Sequence, residues 1–64
     1  MNQPNRRPTL SAQIGWAEGQ AAQHARLAAR NPADSPARRM ALTRKALAEA
    51  AARTLRTLQT GSEA

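Results

Sequence analysis

The chain has 64 residues, no cysteine and a formal net charge of +6, set by nine arginines and one lysine against Glu18, Asp34, Glu49 and Glu63. At this length there is room for one small domain and no buried cleft of ordinary enzymatic size, so an enzyme is not expected. Without cysteine, neither a disulfide framework nor a thiolate metal site can supplement the core, and the basic balance invites acidic partners. Arginine and alanine are both favoured by GC-rich coding, so compositional drift is an alternative source of that charge. Apart from Met1, only nine side chains are large and apolar: Leu10, Ile14, Trp16, Leu27, Met40, Leu42, Leu47, Leu55 and Leu58. So small an apolar stock leaves a lone chain marginal and points to self-association or docking on a partner.

Residues 1–9 hold two prolines and no apolar periodicity, which reads as a flexible basic arm carrying Arg6 and Arg7. Thr9 or Ser11 is placed to cap a helix starting near residue 10. From about residue 10 to 30, Leu10, Ile14, Ala17, Ala21, His24 and Ala28 recur at alternating spacings of four and three, one face of an amphipathic helix. Asn31-Pro32-Ala33-Asp34 breaks that pattern, since a residue before proline avoids the α region and asparagine tolerates a left-handed cap. The turn is assigned to 31–35. Ser35-Pro36 restarts a helix, with serine at the N-cap and proline in the first turn.

The second helix is expected over about 36–59, with Met40, Thr43, Leu47, Ala50, Ala51, Thr54 and Leu58 along its inner side and Leu55 at the edge. Gly61 supplies a C-terminal stop, leaving 61–64 as a disordered tail. The sequence therefore reads as an all-α, antiparallel two-helix hairpin over 10–60, dimerising into a four-helix bundle that buries what one hairpin cannot. Its core and dimer residues are Leu10, Ile14, Ala17, Ala21, His24, Met40, Leu47, Ala51, Leu55 and Leu58. The two helices show no internal repeat.

Helix 1 carries a second feature away from its core stripe. Gly15, Gly19 and Ala22 lie one above another, beside a strip of Trp16, Gln20, Gln23 and Leu27. Glycine in a helix interior costs up to about 1 kcal/mol relative to alanine, so two of them on one face imply close approach of something to the backbone. Trp16 and Leu27 then serve as anchors for a protein partner, with Gln23 beside them and Arg26 and Arg30 as complementary charge at the rim. The alternative is that Trp16 closes the edge of a dimer core.

A nucleic-acid partner is the second reading, carried by Arg6, Arg7, Arg38, Arg39, Lys45, Arg53 and Arg56. Against it, Lys45, Glu49 and Arg53 are spaced to neutralise one another along a helix. A third helix for helix-turn-helix docking, a strand for a ribbon-helix-helix and aromatics for base stacking are all missing. His24, the single histidine, has no second ligand one turn away, so no metal is expected and packing is its assigned role. Neither a carboxylate pair, a serine triad nor a phosphate loop is present, so no catalytic residue, cofactor or small-molecule substrate is assigned. No apolar run has the length of a secretory h-region or a membrane span, so the expected setting is the cytoplasm, without membrane association.

Leu10-Ser-Ala-Gln-Ile14, Ala17-Glu18, Met40 and Ala46-Leu47-Ala48-Glu49-Ala50 through Leu58 resemble small helical-hairpin proteins of proteobacterial phages and prophages, over about two-thirds of the chain. Where those proteins carry aromatic and proline positions before the turn, this chain has Ala28-Ala29-Arg30. The resemblance implies an accessory protein of a mobile element, without catalytic activity, that inhibits or regulates a bacterial host protein by capping it. A small structural assembly subunit is the remaining alternative.

Overall fold

The computed structural model describes residues 8–63, so the first seven positions of the expected arm, with Arg6 and Arg7, lie outside the described residues. Two helices make up the fold: α1 (Leu10–Arg30) and α2 (Pro36–Glu63), packed against each other as an antiparallel hairpin. The all-α expectation holds, and α1 has the expected limits. Helix α2 runs through Thr60, Gly61 and Ser62 instead of stopping near 59, which corrects the expected disordered tail over 61–64 for residues 61–63; Ala64 lies outside the described residues. A glycine ends a helix by adopting a left-handed conformation, and Gly61 has no positive φ.

Each helix starts on a side-chain cap. Thr9 Oγ1 accepts from the Ala12 N–H at 3.0 Å, and Ser35 Oγ accepts from the Arg38 N–H at 3.1 Å, so both helices satisfy a first-turn donor that would otherwise be unpaired. Pro36 fits behind Ser35 because the first helical position needs no donor. The turn differs from expectation in its cap: Asn31 is extended, with φ −107° and ψ 150°, not left-handed. Its function is met by hydrogen bonds, since Asn31 Nδ2 donates to the Leu27 carbonyl at 2.7 Å and its N–H donates to the Ala28 carbonyl. Arg38 reaches back from α2 and donates to the Ala28 carbonyl at 3.2 Å, placing a cation at the negative end of the α1 dipole.

The seam between the helices is lined by alanine. On α1 it consists of Leu10, Ile14, Ala17, Ala21, His24 and Ala28, the stripe that periodicity singles out. On α2 it consists of Arg38, Ala41, Lys45, Ala48, Ala52, Leu55 and Gln59. Both series alternate steps of three and four, the 3.5-residue period of coiled-coil packing. Ile14, Ala17, Ala28, Ala41 and Ala52 are its buried members.

The inner side of α2 is where the sequence reading fails. Met40, Thr43, Leu47, Ala50, Ala51, Thr54 and Leu58 are expected inside, and all are exposed. The helix is turned by roughly a third of a revolution from that expectation. Alanine faces alanine along the middle of the seam, where close backbones leave little room for leucine or methionine, and the two seam leucines, Leu10 and Leu55, lie toward its open end. Met40, Leu47, Ala51 and Leu58 are therefore not hairpin core, whereas Ile14 and Ala17 are buried in the seam and Leu10, Ala21, His24 and Leu55 are half-buried along it. Register along the seam is held by polar links between the helices: Gln59 Nε2 donates to Ser11 Oγ at 2.8 Å, and Arg56 pairs with Glu18.

Candidate functional site

With alanine in the seam, six of the nine large apolar side chains are exposed: Trp16, Leu27, Met40, Leu42, Leu47 and Leu58. Residues three and four apart share a helix face, so Met40, Leu47 and Leu58 line up along one side of α2, with Arg44 and Ala51 in the same row. Trp16, Gln20 and Leu27 form the corresponding row on α1. The antiparallel arrangement sets the two rows side by side. Trp16 is 68% exposed and Leu47 66%, far more than a residue closing the edge of this hairpin would be.

Three linked hollows lie end to end along this flank. The first, about 440 Å³, lies between Pro8, Ala12, Gln13, Trp16 and Ala17 on one side and Ala51 and Leu55 on the other. Trp16 and Ala51 also border the second, about 250 Å³, which continues past Gln20 and Leu47 to His24 and Arg44. His24 and Arg44 are shared in turn with the third, which ends between Leu27, Asn31, Ala37 and Met40. A shallow apolar groove thus runs along the hairpin, with an imidazole and a guanidinium midway.

The opposite flank is charged. Lys45 Nζ lies 2.8 Å from Glu49 Oε2, and this lysine holds the Glu49 carboxyl below its ordinary pKa by hydrogen bond and by charge. Arg56 pairs with Glu18, Arg38 is engaged at the α1 carboxyl end, and Arg39 donates to the Asp34 carbonyl at 2.9 Å. Of the cations assigned to a nucleic-acid surface, Arg53 alone among the described residues has neither an ion pair nor a side-chain hydrogen bond. Phosphate binding would compete with the contacts that hold the turn and the register.

The residues assigned to partner binding divide between two faces. Trp16 and Leu27 belong to the groove, and Gln23, Arg26 and Arg30 are exposed. Gly15 and Gly19 face open space: a Cβ added to either meets nothing within 4 Å, so the hairpin itself gives no reason for glycine there. Met40, Leu47 and Ala51 belong to this surface although sequence reasoning places them in the core and dimer set, and it misses Arg44 altogether. The signal for Arg44 is present in the sequence, since it lies four residues after Met40 and three before Leu47, within the apolar row of α2.

Among the described residues no group of three His, Asp or Glu side chains could hold a metal ion, and no helix is long and apolar enough to cross a membrane. Comparison with protein families, with curated proteins and with solved structures finds nothing that matches this chain.

Proposed function

We propose that this chain is a non-enzymatic protein-binding module whose docking surface is the Trp16–Leu27–Met40–Leu47 flank of the hairpin. The observation that carries the reading is the placement of a scarce resource. Three large apolar side chains serve the seam, while five of the other six, Leu42 excepted, gather on one side where they stabilise the hairpin little. Contiguous exposed apolar surface of this kind marks interaction sites, and tryptophan is enriched among interface anchors. The likeness to phage hairpins extends the proposal to an inhibitor or regulator that caps a host protein. Self-association into a four-helix bundle would use the same flank.

The test compares capture of partners by the wild-type chain, by Leu47→Glu on the apolar flank and by Arg53→Glu on the charged flank. Each variant is first checked for unchanged helicity by circular dichroism. A specific protein retained by wild type and by Arg53→Glu, but lost with Leu47→Glu, supports the proposal. The reverse pattern overturns it. So does tight duplex DNA binding whose affinity falls by orders of magnitude between about 50 and 200 mM salt, the behaviour of a protein neutralising several phosphates.

A further inference from the structure

We infer that the occupant of the apolar flank is an amphipathic helix of a different protein that carries a carboxylate between its apolar anchors. This rests on the docking reading above and deepens it by naming the partner's chemistry.

Arg44 lines both the second and the third hollow, so the middle of the groove is cationic while Trp16 and Leu47 lie toward one end and Leu27 and Met40 toward the other. Arg44 has no ion pair and no side-chain hydrogen bond among the described residues. Beside it, His24 Nδ1 is enclosed and has no hydrogen-bond partner among the described residues. A purely apolar occupant would cover Arg44 and leave a desolvated charge unpaired, which is strongly unfavourable. A carboxylate placed over the same point turns that penalty into a charge-assisted hydrogen bond.

Among the carboxylates whose side chains are described, a second copy of this chain supplies none to that point. Glu18 and Glu49 lie on the charged flank and are held by Arg56 and Lys45, and Asp34 is in the turn. Two hairpins paired face to face about a dyad at the middle of the groove would bring Arg44 against Arg44, a like-charge contact that opposes association. The anchors also suit a helix. Trp16 and Leu27 are eleven residues apart in sequence, about 16 Å along α1, so the groove spans roughly three turns of a ligand helix laid along it. Arg26 and Arg30 extend the positive charge along the exposed side of α1, in keeping with an acidic ligand.

Trp16 is the only tryptophan, so its emission reports directly on the groove. The probe is a synthetic amphipathic helix of about 20 residues, long enough to cover the ~30 Å of α1. It lacks tryptophan and carries a leucine stripe with one central glutamate; matched peptides carry glutamine or lysine there. The glutamate peptide is expected to shift Trp16 emission to shorter wavelength and to bind at least roughly tenfold tighter than the lysine peptide. Arg44→Gln, at an exposed position without partners among the described residues, should abolish that preference, bringing the glutamate and lysine peptides to about equal affinity. Equal affinity for the glutamate and lysine peptides, with Trp16 still shifted, overturns the acidic occupant and leaves the docking flank standing. A dimer in sedimentation equilibrium whose Trp16 is shielded puts a second copy on the face and also overturns this inference alone. If neither peptide nor self-association shifts Trp16, the inference and the docking reading fail together.

Discussion

The orientation of α2 makes opposite demands on two side chains of similar size, which is the sharpest way to test the fold. Ile14 is 6% exposed in the seam, whereas Leu47 is 66% exposed on the apolar flank. Replacing Ile14 by alanine removes buried carbon and leaves a cavity, at a cost of about 2–5 kcal/mol; the lower end is expected, because the seam is only two helices thick. Full burial of a leucine is worth about 1.5–3 kcal/mol, and only a third of the Leu47 surface is withdrawn from water, so Leu47→Ala should cost under about 1 kcal/mol. The higher helix propensity of alanine offsets part of even that. For a domain this size, each kcal/mol moves the melting temperature by about 4–8 °C. Thermal and urea unfolding followed by circular dichroism should therefore separate the two variants widely. Measurements at two protein concentrations exclude a contribution from association, which would make the midpoint concentration-dependent. If Leu47→Ala destabilises a monomeric sample as much as Ile14→Ala does, α2 presents its leucines inward and the alanine seam is wrong.

Three further outcomes rest on local geometry. Gly19→Ala should stabilise the hairpin by up to about 1 kcal/mol, since the added methyl meets no neighbour and alanine is the better helix former; a loss in urea unfolding would mean that something packs against that face. Ser35→Ala removes the acceptor for the Arg38 N–H and should cost about 1 kcal/mol, visible as faster amide exchange in the first turn of α2; unchanged exchange there would refute the capping assignment. Because Lys45 lowers the Glu49 pKa, the pair contributes stability that is present above the ordinary glutamate value near 4.3 and disappears as pH falls through the lowered folded value. Acid titrations of wild type and Glu49→Gln, read by circular dichroism, should differ in that window, and added salt should shrink the difference because the pair is solvent-exposed.

Helix positions are legible in the sequence because their signals are local. Thr9 and Ser35 act as caps within three residues, Pro32 and Pro36 restrict their own neighbourhood, and the α1 stripe repeats strictly enough to mark its inner face. The inner face of α2 is not legible by the same rule. That helix has two stripes at helical spacing, one rich in leucine and one rich in alanine, and hydrophobicity alone assigns the larger side chains to the core. The choice depends on the partner surface: Ala17, Ala21 and Ala28 on α1 leave a shallow groove that accepts alanine and closes tightly, so backbone proximity outweighs the area of any single leucine. Gly61 fails as a stop for a related reason, since glycine permits a left-handed cap without compelling one.

The same competition accounts for the docking surface. If α2 were turned so that Met40, Leu47 and Leu58 faced α1, the helices would stand further apart, Arg38 would lose the carbonyls at the end of α1, and Arg56 would lose Glu18. The alanine seam keeps those contacts and leaves the leucine row outside, next to Trp16. Tight packing within the hairpin and an apolar flank outside it are therefore one structural solution. A substitution that enlarges the seam, such as Ala17→Leu at a position 1% exposed, would strain both together by forcing the helices apart and displacing the two rows of the groove. The binding surface depends on residues that never touch it, because the spacing between the rows is set by the smallest side chains in the chain.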